Sequence, residues 1–395
     1  MNKKVIDDDL IRVLILGSGT QGLAIIRSLS AKGHVVYLLC GKEHNYADGS
    51  RFVTKKIYAE ASETSADYLN QVIKIILNER IDVIIPMGDA SAVFVSKNIE
   101  RLQQISHIKM PPFNVFLKGY DKNKLMALCA NRGYPHPETI DLSMVDIDDD
   151  SLKSFKYPAM LKPNCTTGGR GMVEVSSYEE MKEKFSALHL QYGDYHLQRF
   201  VKAGGRQVKI QLYVDDNQNL VNSTVMQKIR WYPNKAGSSC CSVSITDTKI
   251  VSTCYSILKD IGWVGFADFD AIEDPDTKDL LIMEINPRVP ACIQLPIVAG
   301  VDWAEIIING YLDRPQIEYN YKEGEYLRHL GLDVMWFRSA ERRWTTRPCW
   351  FSFLGKHIHY QDISHWTDPI PFITGTYKNI RNLFNSDFRK AKSVK

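Results

Sequence analysis

From Leu280 to Arg288 the chain reads Leu-Leu-Ile-Met-Glu-Ile-Asn-Pro-Arg, an apolar run that ends in a carboxylate, a carboxamide and a guanidinium on alternate positions. Side chains alternate across a strand with period two, so Glu284, Asn286 and Arg288 are expected on one face and Met283 and Ile285 on the other. A second acidic strand end lies just upstream, in Gly265-Phe-Ala-Asp-Phe-Asp270. If the two runs pair as a hairpin across the polar turn at 274–279, Asp270, Glu284 and Asn286 share one oxygen-rich pocket. Hard oxygen ligands beside a cation suit Mg²⁺, or Mn²⁺ in its place, carried on nucleotide phosphates. The alternative is a solvated strand end with ordinary ion pairs. Apolar residues separate the three polar groups, which favours the pocket.

The loop Pro163-Asn-Cys-Thr-Thr-Gly-Gly-Arg-Gly171 is the phosphate candidate. Backbone N–H groups without side chains in the way can cradle phosphate oxygens, the hydroxyls of Thr166 and Thr167 can add donors, and Lys162 precedes the loop at a strand end. It lacks the Gly-Lys-Ser/Thr of a P-loop, and alone it could be a flexible hairpin. Gly17-x-Gly19-x-x-Gly22 follows a strand and opens a helix, as a dinucleotide fingerprint does. That fingerprint wants an acid at the tip of the second strand, which here ends Leu38-Leu39-Cys40-Gly41-Lys42. An NAD-dependent oxidoreductase therefore stays open but weakened, and a tight turn with close helix–strand packing is the preferred reading. Lys228 and Arg230 form an alternating basic pair that could hold an anionic substrate or simply be solvated. Cys240 and Cys241 invite a thiol-nucleophile idea, but no histidine in the segment could activate them.

The elements that must position these residues follow from the pattern. At 395 residues, two or three domains are expected. Composition is 44% apolar and 24% charged, and a net charge of +3 indicates no nucleic-acid partner. The eight cysteines show no CxxC pair, the first apolar run is too short for a secretory leader, and no run nears the ~20 apolar residues of a membrane span. The cytoplasm is the expected compartment. Residues 1–115 alternate strand and helix signals, which predicts a parallel sheet of Rossmann type. Strands recurring at 157–162, 172–175, 195–201, 207–214, 220–229, 264–272 and 280–286 predict a largely antiparallel α+β region. Beyond about Pro315 the sequence is irregular and rich in tryptophan. Near the end, Ile380, Leu383, Phe384 and Phe388 stand beside Arg381, Arg389, Lys390, Lys392 and Lys395; that tail could dock on its own protein, fray, or rest on an anionic membrane.

In order, Asp121-Lys122, Tyr157-Pro-Ala-Met-Leu-Lys162, Thr166-Thr-Gly-Gly-Arg-Gly171, Leu197-Gln-Arg-Phe-Val201, Asp268-Phe-Asp270 and Glu284-Ile-Asn-Pro-Arg288 resemble the ATP-grasp superfamily of carboxylate–amine ligases, on its D-aspartate-ligase-like and carbamoyl-phosphate-synthase-like branch. The resemblance covers roughly residues 10–310. It implies a Rossmann-like domain at 1–115, a two-part ATP-grasp domain at 116–312 (a lid-bearing subdomain at 116–195, a metal-binding one at 196–312) and a C-terminal extension at 313–395. It also implies ATP with Mg²⁺ as cofactors, small-molecule carboxylate and amine substrates, and a homodimer among the states open to the chain. By resemblance, Lys122 and Lys162 would contact the α- and β-phosphates, and the loop with Thr166, Thr167, Gly168, Gly169 and Gly171 would close over the β- and γ-phosphates. Gln198, Arg199, Phe200 and Val201 would form the adenine hinge between apolar walls Ile272 and Met283. Asp270, Glu284 and Asn286 would bind one or two Mg²⁺, Arg288 would steady the transferring phosphoryl group, and Lys228 with Arg230 would hold the substrate carboxylate. Two departures stand out: Gln198 replaces the usual hinge glutamate, and an acid common near the ribose is replaced within Gln207-Val-Lys209. A catalytically silent, ATP-binding regulatory protein is the remaining alternative.

Overall fold

The computed structural model describes residues 10–41, 45–166, 169–233, 237–361 and 367–384. In the first part, β1 (Arg12–Leu16), β2 (Val35–Cys40), β3 (Lys55–Tyr58) and β4 (Val83–Pro86) form a wholly parallel sheet in the order β3-β2-β1-β4. Helices Thr20–Ala31 and Ala66–Glu79 supply the long connections that parallel pairing requires. β4 and, after Arg12, β1 are apolar and buried, as strands covered on both faces must be. Gly17 adopts φ +109°, and a Cβ on Gly22 would lie 3.3 Å from the Gly17 carbonyl oxygen. The glycines thus serve a tight turn and a close helix approach. The chain itself lies over this loop, because the Ala47 N–H donates to the Ser18 carbonyl at 3.0 Å.

A second sheet consists of β5 (Thr139–Asp141), β6 (Ala159–Pro163), β7 (Val173–Val175) and β8 (Tyr195–Arg199), antiparallel in the order β5-β8-β6-β7. It has its own small core of Leu152, Phe155, Leu161, Val175, Met181 and Leu197. The third sheet is the largest: β9 (Gln207–Val214), β10 (Leu220–Tyr232), β11 (Ser238–Ile245), β12 (Gly265–Glu273), β13 (Leu280–Asn286), β14 (Tyr326–Arg328) and β15 (Ile358–Tyr360), in the order β13-β12-β9-β10-β11-β14-β15. All its pairs are antiparallel except β14–β15.

Two expected boundaries fall inside packed structure. Helices Phe113–Tyr120 and Lys122–Arg132 bury Phe116, Leu125, Met126 and Cys129 in the core of the large sheet, not in the core of the small one. After residue 313 the chain is no separate extension, since it supplies β14 and β15. Helix Leu330–Ser339 is tied to β10 and β14 by Asp333, which accepts from Arg230 Nε at 2.7 Å, Arg230 Nη2 at 2.9 Å and Arg328 Nε at 2.8 Å. All three residues are fully buried. Helix Ile370–Phe384 returns to the first part, where Asp368 accepts from the buried Arg27 and from Ser50. Trp366 and residues 385–395 of the tail lie outside the described residues. Among the described residues no helix is long and apolar enough to cross a membrane.

Candidate active site

The predicted hairpin forms, with Asp270 in register with Glu284 and Asp268 with Asn286. The register slips between Asp270 and Ala271, leaving Met283 without a partner as the extra residue of a bulge. On the other side of β12, β9 sets Lys209 opposite Asp270 and Gln211 opposite Asp268. One face of four strands therefore collects polar groups. Asp268, fully buried, accepts from Gln211 Nε2 at 2.6 Å, Lys209 Nζ at 2.7 Å and Asn286 Nδ2 at 3.2 Å. Asp270 accepts from Lys209 Nζ at 2.7 Å and Asn286 Nδ2 at 3.0 Å on one oxygen, and pairs with Lys228 Nζ at 3.0 Å through the other. Burial raises the Asp268 carboxyl above its ordinary range against the pull of Lys209. At Asp270 burial also opposes the charge, but Lys209 and Lys228 prevail and hold the carboxyl well below that range.

Two lysines face this cluster, Lys122 from the helix Lys122–Arg132 and Lys162 from the small sheet. Lys122 opens its helix behind the N-cap Asp121, and its Nζ donates to the Thr166 carbonyl at 2.7 Å and lies 3.3 Å from Glu284. One ammonium thus touches the base of the glycine-rich loop and the tip of β13. Lys162, at the end of β6, is 8% exposed and donates to Gln198 Oε1 at 2.5 Å. Burial lowers its ammonium to about 8; Glu284 opposes that shift and Lys122 adds to it. Gln198 spends its other end on Thr139 Oγ1 at 3.0 Å. Its side chain is therefore turned to the lysine rather than free for an adenine amino group, because β6 and β8 are neighbours and present Lys162 and Gln198 on one face.

In the loop, Gly169 and Gly171 both have positive φ, +74° and +75°. A Cβ on Gly171 would come within 2.9 Å of Pro163, Tyr192 and the Tyr195 hydroxyl, and that hydroxyl donates to the Gly171 carbonyl at 3.0 Å. Thr166 Oγ1 donates to the Arg170 carbonyl at 3.1 Å. Thr167 and Gly168 lie outside the described residues. At the end of β8, Arg199 pairs with Asp274 at 2.9 Å, and Phe200 and Val201 in the connection after it are half-buried, as are Ile272 and Met283.

Arg288 reaches out of the large sheet to Asp89 at 3.1 Å, the first residue of helix Asp89–Lys97 in the first part of the chain. The basic pair on β10 does not stay together. Lys228 joins Asp270, but the strand bulges between the two residues, and Arg230 is buried in its bidentate pair with Asp333. Arg230 is thereby excluded as a contact for a soluble substrate. Cys240 and Cys241 are also buried, and burial pushes the Cys241 thiol up to about 11, which leaves no thiolate nucleophile.

Among the described residues, no three His, Cys, Asp or Glu side chains are arranged to hold a metal by themselves. Mg²⁺ rarely needs that: it keeps waters and takes one or two carboxylates together with substrate phosphates. Glu284, part exposed beside Lys122, fits this use. Asn286 engages through its amide nitrogen, so its carbonyl oxygen is the atom a metal could take. Asp270 is the misfit in the expected trio, because ammonium groups already meet both of its oxygens.

Gln211 and Asp89 are site residues that motif reading passed over, and Asp268 and Lys209, though quoted within motifs, were given no role in the site. A signal for two of them existed, since Lys209 and Gln211 alternate with the buried Val208, Ile210 and Leu212. His196 was missed as well. It is buried beside Lys162 on the neighbouring strand, bonded through Nδ1 to Asn164 Oδ1 at 2.8 Å, and burial holds it neutral.

Residues 121–308 match the family described as the carbamoyl-phosphate synthase L chain, ATP binding domain. The chain is 23% identical over 312 residues to the carbamoyl phosphate synthase large chain of Clostridium acetobutylicum, covering 72% of this chain and 28% of that protein. It therefore spans little more than a quarter of that relative. Among solved structures, biotin carboxylase from Campylobacter jejuni in complex with an ATP analogue superposes with a TM-score of 0.65 at 19% identity, over 80% of this chain and 74% of that one. N5-carboxyaminoimidazole synthetase from Staphylococcus aureus gives 0.66 at 16% identity, over 83% and 84%. These likenesses establish the fold.

Proposed function

We propose that this ATP-grasp chain is an ATP- and Mg²⁺-dependent ligase that activates a small-molecule carboxylate as an acyl phosphate and joins it to an amine, releasing ADP and phosphate. One observation carries the reading: the Lys122 ammonium sits between the carbonyl at the base of the glycine-rich loop and Glu284 at the tip of β13. A loop able to cover phosphates, a cation able to neutralise them and a carboxylate able to take their metal thus meet at one point.

A carboxylate resists attack by an amine because oxide would have to leave. Moving the γ-phosphoryl group of ATP onto it makes a mixed anhydride with a competent leaving group. Positioning and charge neutralisation carry most of such a transfer. Lys122 and Lys162 would lie along the phosphates, with Lys162 drawn from Gln198 toward the stronger anion. Bound Mg²⁺, held by Glu284 and the Asn286 carbonyl, would neutralise charge on the transferring group. The loop from Thr166 to Gly171 would close over the phosphates and keep water from the acyl phosphate. Arg288, oriented by Asp89, is placed to steady the acyl phosphate, and Lys228 alone remains of the basic pair to meet the substrate carboxylate. Phe200, Val201, Ile272 and Met283 would receive the adenine ring on backbone and apolar surface.

The test is a screen of carboxylate and amine pairs for ADP release. ADP that appears only when both partners are present supports the ligase. Tight ATP binding with no release from any pair supports the silent, nucleotide-binding alternative, which the two ammonium groups on Asp270 favour.

A further inference from the structure

The ammonium of Lys209 lies 2.7 Å from an oxygen of Asp268 and 2.7 Å from an oxygen of Asp270. A cation equidistant from two buried carboxylates occupies the position that a bridging divalent ion would take. We propose that Lys209 is a permanent resident cation of the metal pocket, so that the site admits a single divalent ion, held by Glu284 and Asn286 and arriving with the nucleotide. The inference rests on the nucleotide reading above and deepens it.

Three observations support it. First, each carboxylate already has a cation: Lys209 lies beside Asp268 and Asp270, Lys228 beside Asp270 and Lys122 beside Glu284, with Lys162 a further positive charge felt at Glu284. A second divalent ion between Asp268 and Asp270 would add positive charge to a desolvated cluster. Second, Lys209 has no easy way out. It stands on β9, which lies between β12 and β10, its side chain is 12% exposed, and withdrawing it would leave the fully buried Asp268 without its cation. Third, the surrounding amides are set for an ammonium partner. Gln211 and Asn286 both point N–H donors at Asp268, and Asn286 donates to Asp270 as well. Donors aimed at the carboxylates occupy lone pairs that a metal would need. Glu284 is differently placed, since its partner Lys122 is 3.3 Å away and its side chain is 32% exposed. That carboxylate can exchange a cation.

The experiment counts bound Mn²⁺ by electron paramagnetic resonance of the free ion, with the whole chain saturated by a non-hydrolysable ATP analogue whose binding is followed by calorimetry. One Mn²⁺ per chain per nucleotide is expected for the wild type, and Lys209→Met, which strips the cation from two carboxylates, should raise the count to two. Two Mn²⁺ on the wild type, or one on a folded Lys209→Met variant, overturns the proposal and leaves the nucleotide site standing. Absence of analogue binding overturns the nucleotide reading and this proposal with it. Should Lys209→Met fail to fold, Lys209→Arg keeps the charge: a count of one there supports the resident cation, and a count of two overturns it.

Discussion

Lys162 shows how a single side chain can be poised for an anion. Burial costs it charge stability, and in the free protein it gives up its proton near pH 8. A polyphosphate beside it would favour the ammonium, so binding should take up a proton wherever the free lysine is neutral. The depressed value sets the direction: ATP affinity should be flat up to about pH 7 and fall as pH rises through 8. Calorimetry at pH 8.5 in two buffers of different ionisation enthalpy should report net proton uptake on ATP binding, and none would mean that Lys162 does not meet the phosphates. Replacing it, in Lys162→Met, removes a charge-assisted contact of about 1.5–3 kcal/mol, roughly a ten- to hundredfold loss of ATP affinity. Glu284→Ala should act differently. It should abolish ADP release, and Mn²⁺ uptake with nucleotide should disappear with it.

At the scale of elements, the glycine-rich loop is shaped by backbone more than by composition. Gly171 combines a positive φ with three close neighbours, so Gly171→Ala must both strain the chain and push Tyr195 or Tyr192 aside. The expected result is weaker ATP binding from a chain that still folds but is less stable, since Tyr195 belongs to the small core and Tyr192 packs against it. An unchanged dissociation constant would show that the loop does not close on the nucleotide. The hairpin β12–β13 teaches a related lesson. Alternation alone predicts which of its residues share a face, and Asp270 does meet Glu284 in register. The bulge at Met283 is not in that pattern, because it depends on how the two strands fit β9 rather than on either strand alone.

Across the whole molecule, the chain after residue 313 extends the large sheet instead of trailing from it. Arg230, Arg328 and Asp333 lie on three separate elements and have no solvent to share. Two guanidinium groups on one carboxylate leave an excess positive charge, spread over the Pro348 and Ser352 carbonyls and the rings of Trp336, Trp350, Phe353 and Tyr360. Asp333→Ala would strand both arginines, with an expected loss of about 3–5 kcal/mol of stability in urea unfolding. The ATP affinity of the folded protein should be unchanged, which separates this structural role from a catalytic one.

What could be read from the sequence was whatever depends on local order: the buried strands of the first sheet, the hairpin with its acidic tips, the lysine ahead of the glycine-rich loop and the family they jointly resemble. Period-two alternation and the spacing of glycines act over a few residues, and so they survive in the text. Partners were not readable. Nothing near Asp270 announces that Lys209 and Lys228 will arrive from two other strands, nor that Gln198 will turn to Lys162, nor that Arg230 will be spent on an aspartate about a hundred residues away. Those pairings exist only because strand order brings distant segments within Coulombic reach in a desolvated interior, where each charge must find its counter-charge.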